Sequence, residues 1–304
     1  MQRALELAER GRGEVRDHPL VGAVVVADGE IVGEGWYEYD AIDHAETVAL
    51  AQAGERARGA TLYVTLEPCA HHGRTPPCAD AVVAAGVARV VVGALDPNPK
   101  AAGGAERLRA YGVEVEVVDS IDARRQNEAW RTWVALGRPH VTLKLAVTLD
   151  GRVTVPGRRW VSGEESRRLV HELRASVDAV AVGMGTVRAD DPRLDARDVG
   201  AERQPRRLAF GHGETELELR SGPLEDELRA LAAEGVQSLL LEGGPTIATA
   251  FVAANLVDTL VLFVAPVVAG EGPRFIGDVA AEVKGMRARR VGEDVLLEGY
   301  LHEP

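Results

Sequence analysis

The sequence has few aromatic residues and a deficit of basic ones. Aromatic residues make up 4% of the 304 residues, which leaves few rings for stacking on nucleic-acid bases. Acidic residues outnumber basic residues by 47 to 35, and the formal net charge is −12, so no basic surface for a nucleic-acid backbone is indicated. We therefore expect no nucleic-acid partner.

Long hydrophobic runs are also missing. The longest, such as TLVLFVAPVVAG, fall well short of the ~20 apolar residues that a transmembrane helix needs. The amino-terminal MQRALELAERGRG is charged and has no apolar signal core. These features predict a chain with no membrane partner, located in the cytoplasm.

Cysteine is scarce, and both cysteines lie in the stretch EPCAHHGRTPPC, from Glu67 to Cys78. In a reducing compartment, ligation of a metal explains such a clustered pair better than a disulfide does. His44, in the sequence His44-Ala45-Glu46, adds an imidazole to the thiolates of Cys69 and Cys78. One imidazole and two thiolates make three protein ligands, the number expected when zinc keeps its fourth position open for water. The set therefore predicts a catalytic zinc site.

Glu46 follows His44 by two residues, so its carboxylate can reach the water that the zinc activates. The order H-x-E, P-C and a later cysteine is typical of zinc nucleobase deaminases, in which the glutamate transfers protons. Eight residues separate Cys69 and Cys78, where two are usual. We expect these eight residues to loop out and to offer His71 and Arg74 to an anionic group of the substrate.

The order of elements predicts an α/β protein with two domains. The stretch VGAVVVADGEIVGEG predicts a β-hairpin around Asp28-Gly29, and strands and helices then alternate, which indicates a mostly parallel sheet covered by helices. The sequence DARRQNEAWRTWVAL predicts one helix. Gly137 to Pro139 interrupt the pattern, so we divide the chain into residues 1–139 and 140–304.

The second half contains the Gly-rich turns LDGR, GMGT and EGGP next to predicted strands. The last turn follows the strand QSLLL and precedes a helical pattern, which would let a phosphate approach backbone N–H groups at a helix start. An ordinary strand-to-helix turn has the same pattern. The pattern alone leaves both interpretations open.

Motifs in both halves resemble one known family. HPLVGAVVV, HAE, TLEPCAHHGRTPPC and LDPNP are similar to the deaminase half of the bifunctional riboflavin-biosynthesis deaminase/reductase, and KLAVTLDGR, WVSG, GTVRADDPRLDAR and LEGGPT to its reductase half. The resemblance implies a cytidine-deaminase-like three-layer domain followed by a dihydrofolate-reductase-like domain. It also implies zinc on His44, Cys69 and Cys78, with Glu46 as the catalytic proton carrier, and NADPH as the second cofactor.

The implied substrate is a phosphorylated pyrimidine, 2,5-diamino-6-(5-phosphoribosylamino)pyrimidin-4-one. It would lose an amino group by hydrolysis, and its ribosyl chain would then be reduced to ribityl. We expect a homo-oligomer, either a dimer or a tetramer. The resemblance implies cofactor contacts at Ala146, Trp160, Thr186, Asp190, Gly244, Pro245, Thr246, Ile247, Ala248, Thr249 and Ala250. It implies substrate contacts at Lys144, Arg174, Leu194, Arg197 and Glu242.

The chain departs from the family pattern at several positions. His18 stands where an asparagine is common, Tyr37 where a histidine is frequent and Ala41 where a glycine is usual. Gly157-Arg158-Arg159 replaces an expected serine before Trp160. Between Arg207 and the EGGP turn the chain is short, and the preceding Arg206 and Arg207 form either a contact for the 2′-phosphate of the cofactor or a solvated basic pair.

Two alternatives stay open at this level. The chain could deaminate another base or nucleotide and carry a noncatalytic second domain. Zinc could instead stabilise a scaffold, in which case a fourth protein ligand such as His71 or His72 would close the metal shell.

Overall fold

The computed structural model describes residues 1–13, 15, 17–38, 43–73 and 75–304, which form two compact units, Met1–Ala135 and Leu136–Pro304. The helices that begin in the first unit are α1 Gln2–Ala8, α2 Ala45–Ala53, α3 Cys78–Ala84, α4 Gly104–Ala110, α5 Ile121–Gln126 and α6 Glu128–Leu136. Its strands are β1 Gly22–Ala27, β2 Glu30–Trp36, β3 Thr61–Leu66, β4 Arg89–Ala94 and β5 Glu114–Val117.

The five strands form one sheet in the order β2-β1-β3-β4-β5, in which β3, β4 and β5 are parallel. Strands β1 and β2 form the predicted hairpin, and both turn residues, Asp28 (φ 52°) and Gly29 (φ 80°), have a positive φ. Two positive φ values are what a type I′ turn requires, and Asp-Gly tolerates them. The prediction of a parallel sheet therefore holds for three strands, and the hairpin adds an antiparallel edge.

Helix α2 lies directly on strand β2 because two glycines of the strand lack a Cβ. A Cβ on Gly33 would lie 2.0 Å from the carbonyl oxygen of Ala49, and one on Gly35 would lie 2.2 Å from that of Ala45. The small residues Ala45, Ala49 and Ala53 of α2 are buried in this core. The close approach fixes the start of α2, where His44 and Glu46 lie.

We expect the substitution Gly33→Ala to push α2 off the sheet. The new methyl group has no space against helix backbone, so the free energy of unfolding should fall by about 3 kcal/mol, the upper end for overpacking. Denaturant unfolding measures this change. Gly73→Ala is the control because, among the residues that the structure describes, its Cβ would meet the end of the His71 side chain, at 3.5 Å. Equal stability of the two variants would contradict the prediction.

The second unit contains an eight-stranded sheet in the order β12-β13-β11-β6-β10-β7-β8-β9. Its strands are β6 His140–Thr148, β7 Ala179–Gly183, β8 Arg206–Phe210, β9 Glu218–Arg220, β10 Ser238–Leu241, β11 Thr259–Ala265, β12 Lys284–Val291 and β13 Asp294–Tyr300. Its helices are α7 Glu164–Ala175, α8 Met184–Asp190, α9 Leu224–Ala233 and α10 Pro245–Ala253. Six neighbouring strands from β11 to β9 are parallel, and β13 and β12 add an antiparallel edge.

Three features differ from the sequence-based expectations. The single helix predicted over DARRQNEAWRTWVAL is interrupted at Asn127, which separates α5 from α6. The GMGT stretch, expected as a turn, forms the start of α8, with Gly183 as its extended N-cap. Helix α9 and strands β9 and β12 were not predicted.

The short segment before the EGGP turn is held together by charges. The Arg206 guanidinium contacts Glu218 and Glu234, each at 2.6 Å, and Arg220 pairs with the same two carboxylates. These contacts tie β8, β9 and the end of α9 together. Arg206 is therefore ion-paired within the protein in this structure.

Helices long and apolar enough to cross a membrane are not found in the described parts of the chain.

Candidate active sites

Three side chains from separate elements of the first unit meet at one point. His44 is the extended N-cap of α2, Cys69 follows the end of β3, and Cys78 is the first residue of α3. The His44 Nδ1 atom lies 3.1 Å from the Cys78 Sγ atom and 3.7 Å from the Cys69 Sγ atom. The three candidate ligand atoms lie within 4.8 Å of one another.

This arrangement fits zinc. The usual Zn–N and Zn–S bond lengths place nitrogen and sulfur about 3.5 Å apart around a tetrahedral ion. The two separations of His44 from the cysteines lie on either side of that value. Cys78 is fully buried and Cys69 is 8% exposed, so the thiols meet in a site protected from solvent. Within the described ranges, these three residues are the group with metal-ligand geometry, and no fourth joins them.

Hydrogen bonds explain how eight residues can separate the two cysteines. The backbone N–H of Cys78 donates to the Sγ atom of Cys69 at 3.3 Å, and the N–H of Ala79 donates to the Cys69 carbonyl oxygen at 3.3 Å. The two ends of the loop are thus joined beside the metal site. Arg107 supports the same place through two bonds to the Asp80 carboxylate, at 2.7 and 2.9 Å.

Electrostatics prepare the site for a cation. The hydrogen bond from the Cys78 thiol lowers the pKa of Cys69 to about 4, against the cost of burial, and the bond with His44 acts in the same direction. The bond with Cys69, together with burial, raises the pKa of the Cys78 thiol. The bond with Cys69 also raises the pKa of His44. The hydrogen bonds within the cluster therefore favour a thiolate at Cys69.

Glu46 lies in the first turn of α2 and is only 3% exposed. Burial raises the pKa of Glu46 to about 7, and the nearby His44 opposes that rise. A carboxyl group with a pKa near the working pH can both accept and release a proton, which is what general acid–base catalysis requires. The structure brings Glu46 and the three ligands together.

Glu67 is a site residue that the sequence reasoning missed. Its carboxylate is 6% exposed and accepts hydrogen bonds from the backbone N–H groups of Asp96 (3.1 Å), Gly103 (3.2 Å) and Ala105 (2.9 Å). It therefore fixes the end of β3, two residues before Cys69, to the LDPNP loop and to the start of α4. A charged residue between an apolar strand and Pro-Cys was the available signal.

The loop between the cysteines carries the remaining predicted contacts of the deaminase. His71 and His72 are exposed. Arg74 and Ala41 lie outside the described residues. The structure thus leaves the imidazole of His71 accessible to a ligand.

In the second unit, three predicted substrate residues form one largely buried cluster. Glu242 follows β10, and its carboxylate accepts two bonds from the Arg174 guanidinium, at 2.5 and 3.0 Å, while Lys144 Nζ lies 3.5 Å away. Burial raises the pKa of Glu242, but Lys144 and Arg174 outweigh it, so the net pKa is lowered. Two cations and one carboxylate leave a surplus positive charge, which suits a phosphate.

The loop after α8 is attached to the same cluster. Arg174 Nη1 donates to the carbonyl oxygen of Asp195 at 3.1 Å, and Arg197 pairs with the Asp195 carboxylate at 2.5 Å. Leu194 is 2% exposed and has a φ of 55°, an unusual value for a leucine. His171 Nδ1, which the sequence reasoning missed, lies 3.0 Å from the Asp195 carbonyl oxygen. Arg174 and Arg197 thus both bind Asp195, the first at its carbonyl oxygen and the second at its carboxylate. Arg174 also binds the carboxylate of Glu242.

The EGGP turn meets the start of a second helix. Gly244 is the extended N-cap of α10, and its N–H donates to the Thr186 Oγ1 atom in the first turn of α8, at 3.2 Å. Both helices begin after adjacent parallel strands, β7 and β10, where α/β sheets usually bind nucleotides. A Cβ on Gly243 would lie 1.9 Å from the Cγ2 atom of Ile247, so a larger residue here would have to displace the Ile247 side chain.

The other predicted cofactor residues lie on several elements. On α10, Ala248 is buried, Thr246 and Ala250 are exposed, and the Thr249 hydroxyl donates to the Pro245 carbonyl oxygen at 2.6 Å. Ala146 lies on β6, and Asp190 is the exposed last residue of α8. Trp160 is 52% exposed, with the Arg159 and Arg167 guanidinium carbons 5.0 and 5.5 Å from its ring.

The fold and the metal centre define the class of protein: a zinc-dependent deaminase unit followed by a reductase unit. Residues 1–94 match the family described as the cytidine and deoxycytidylate deaminase zinc-binding region, and residues 139–297 match the RibD C-terminal domain. The chain belongs to the family of the riboflavin biosynthesis protein RibD.

Relatives cover the chain from end to end. The riboflavin biosynthesis protein RibD of Aquifex aeolicus is 40% identical over 98% of this chain and 96% of its own length. The structure of a diaminohydroxyphosphoribosylaminopyrimidine deaminase/5-amino-6-(5-phosphoribosylamino)uracil reductase from Thermotoga maritima is 34% identical, with a TM-score of 0.83 over 99% of this chain and 97% of that one. Form 1 of Acinetobacter baumannii RibD is also 34% identical, with a TM-score of 0.80 over 98% and 97%.

These findings confirm several predictions. The family, the α/β fold class with its two types of domain, the pair of enzyme activities and the cofactor set of zinc and NADPH are as the sequence predicted. The reading of the chain as a deaminase and reductase of riboflavin biosynthesis is supported over a deaminase with a noncatalytic second domain.

Proposed function

We propose that this chain catalyses two successive steps of riboflavin biosynthesis. The first is the hydrolytic deamination of 2,5-diamino-6-(5-phosphoribosylamino)pyrimidin-4-one, and the second is the NADPH-dependent reduction of the ribosyl chain to ribityl. The observation that supports the deamination most directly is the convergence of His44, Cys69 and Cys78 beside the buried carboxyl group of Glu46. The match of residues 139–297 to the RibD C-terminal domain supports the reduction.

In the deaminase unit, His44, Cys69 and Cys78 would hold the zinc ion. Zinc, when bound, activates water as a nucleophile at neutral pH. Glu46 accepts a proton from the attacking water and delivers it to the amino group that leaves as ammonia, a transfer that its raised pKa favours. His71 and Arg74 serve as contacts for the phosphorylated substituent of the substrate.

In the reductase unit, the cluster of Lys144, Arg174 and Glu242 binds the substrate, and its surplus positive charge attracts the phosphate. Leu194 and Arg197 complete this side of the site. NADPH, when bound, supplies the hydride for C1′ of the ribosyl chain. The residues that would hold it are Ala146, Trp160, Thr186, Asp190 and Gly244 to Ala250, and the start of α10 after the EGGP turn offers backbone N–H groups to a phosphate. Positioning of the two reactants is the main contribution of this unit.

Removal of the metal should separate the two activities. A chain stripped of zinc by a chelator should release no ammonia from the diaminopyrimidine substrate, because the attacking water is no longer activated. The same protein should still oxidise NADPH when it is given the deaminated uracil product directly. Ammonia release and NADPH absorbance measure the two steps.

The outcome also tests the proposed function. Zinc-loaded protein that released no ammonia from this substrate would overturn the deaminase proposal. Ammonia release without NADPH oxidation would overturn the reductase proposal. Restoration of deamination by added zinc, but not by added magnesium, is the control for damage during chelation.

Three further properties of the protein stay predictions: its oligomeric state, its location in the cell and the absence of a nucleic-acid partner. We propose a homo-oligomer, a cytoplasmic location and no nucleic-acid partner. The net charge of −12 and the 4% content of aromatic residues support the last of these.

A further inference from the structure

Asn127 is a buried polar side chain whose position the deaminase chemistry does not explain. It is 4% exposed and lies between α5 and α6. Its Nδ2 atom donates to the carbonyl oxygen of Leu20 at 2.9 Å, and its Oδ1 atom accepts from the N–H of Leu20 at 2.7 Å. Both ends of the amide thus bind the backbone of one residue, 107 positions earlier in the chain.

The Asn127 amide is one of the contacts that hold the segment from His18 to Leu20, beside the bond from the His18 N–H to the Val15 carbonyl oxygen at 3.0 Å. It precedes β1 and belongs to neither a helix nor a strand. Pro19 has no N–H group, and Leu20 is 5% exposed, so the amide of Asn127 pairs two backbone groups that would otherwise be buried without partners. The Asn127 side chain thus pairs with both backbone groups of Leu20, as a neighbouring strand would do in a sheet.

The same segment is linked by contacts to the metal centre. The His18 ring lies 5.3 Å from the Tyr37 ring, and the Tyr37 ring lies edge-on to the His44 ring at 6.0 Å. The N–H of Tyr37 also donates to the carbonyl oxygen of Val21 at 3.0 Å. A continuous path of contacts therefore joins Asn127 to the zinc ligand His44.

The break between α5 and α6 supports a specific role for this residue. Asn127 ends α5 with φ −114° and ψ 17°, and α6 begins at the next residue. With this backbone conformation the Asn127 side chain binds Leu20, while its carbonyl oxygen accepts the N–H of Arg131 in α6 at 2.8 Å. The helix is thus interrupted at the residue whose side-chain amide binds the backbone of Leu20.

We propose that Asn127 is a positioning residue of the deaminase. It fixes the segment His18–Leu20, which is linked through Tyr37 to the ligand His44, and this segment orients the pyrimidine ring of the substrate as it approaches the metal centre. This inference rests on the deamination proposed above. Asn127 itself touches neither the substrate nor the metal, and it acts through the backbone of Leu20.

Asn127→Asp tests the role. The carboxylate can still accept the N–H of Leu20, but it places an oxygen against the Leu20 carbonyl oxygen and repels it. We expect the KM for deamination to rise at least tenfold, with kcat within threefold of the unchanged chain and one zinc per chain. NADPH oxidation with the deaminated substrate should not change, which gives a control within the same protein.

Gln126→Glu is the matched control. It makes the same change from amide to carboxylate one residue earlier, where the Gln126 Nε2 atom donates to the Leu5 carbonyl oxygen at 2.9 Å and so holds α1 instead. It should lower the melting temperature and leave the KM unchanged. Asn127→Ala, which removes the bonds without adding a charge, is measured alongside in case Asn127→Asp does not fold.

The results separate the possible explanations. An unchanged KM in whichever Asn127 variant folds, or an equal rise of the KM in Gln126→Glu, would overturn the inference, as would a fall of kcat alone that follows the melting temperature. Failure of both Asn127 variants to fold would also overturn it, because the residue would then act on the whole unit. Failure of the proposed function is distinguishable, since the unchanged chain would then release no ammonia.

Discussion

The substitution Glu46→Gln should lower the rate of deamination by ~10² to 10⁴ and leave the zinc in place. This range is the usual contribution of a positioned acid–base group. The amide keeps the size of the side chain in its buried position at the start of α2, but it can neither accept the proton of the attacking water nor return it to the leaving amino group. Ammonia release measures the rate, and metal analysis measures the zinc content.

The control for this variant is Glu55→Gln. Glu55 is exposed in the single turn of helix that follows α2, so its change of charge should leave both activities unaltered. NADPH oxidation with the deaminated substrate should also be normal in Glu46→Gln. A variant that released ammonia at the ordinary rate would show that Glu46 does not carry the proton, and another group would have to do so.

Glu242→Gln should have the second large effect, in the other unit. The carboxylate lies between Arg174 and Lys144, and its loss leaves two largely buried cations without their counter-charge. Loss of one partner of such a buried pair costs about 3 to 5 kcal/mol in the free energy of unfolding. Reduction should fall by about 10²-fold, because the Arg174 guanidinium loses the partner that orients it.

Glu218→Gln provides the comparison for this variant. Glu218 also pairs with two arginines, Arg206 and Arg220, but its side chain is 39% exposed. Exposed pairs contribute about 0 to 1 kcal/mol, so the stability should change little. Denaturant unfolding and NADPH oxidation are measured for both variants, and ammonia release should be normal in both. Full reductase activity in Glu242→Gln would remove this cluster from the proposed site.

The metal centre could be predicted from the sequence because its ligands belong to rare residue types. With two cysteines in 304 residues, their placement in one loop carries information, and His44 with Glu46 completes a known order. The hairpin was predictable for a similar reason, since Asp28-Gly29 is one of the few pairs that accept two positive φ values. In both cases a short sequence pattern is compatible with few structures, so it predicts one of them.

Other features depend on partners far away in the chain. Glu67 binds backbone groups at positions 96, 103 and 105, and Asn127 binds Leu20. A backbone N–H group has no residue type, so the sequence contains no sign of such a partner. The same limit applies to the incorrect single helix over α5 and α6, because the break lies at Asn127, whose partner Leu20 is 107 positions away in the chain. The pairing of Arg174 with Glu242, 68 positions apart, was likewise not visible.

The closure of the loop between the two cysteines has a consequence for how such enzymes can diverge. The bonds from Cys78 and Ala79 back to Cys69 set the distance between the two sulfur ligands locally. Changes in length or sequence between Ala70 and Pro77 are then expected to leave the spacing of the two sulfur atoms unchanged. The residues that would contact the substrate and the residues that would bind the metal lie in different parts of one short stretch. Selection can therefore change the substrate contacts while the metal ligands are kept.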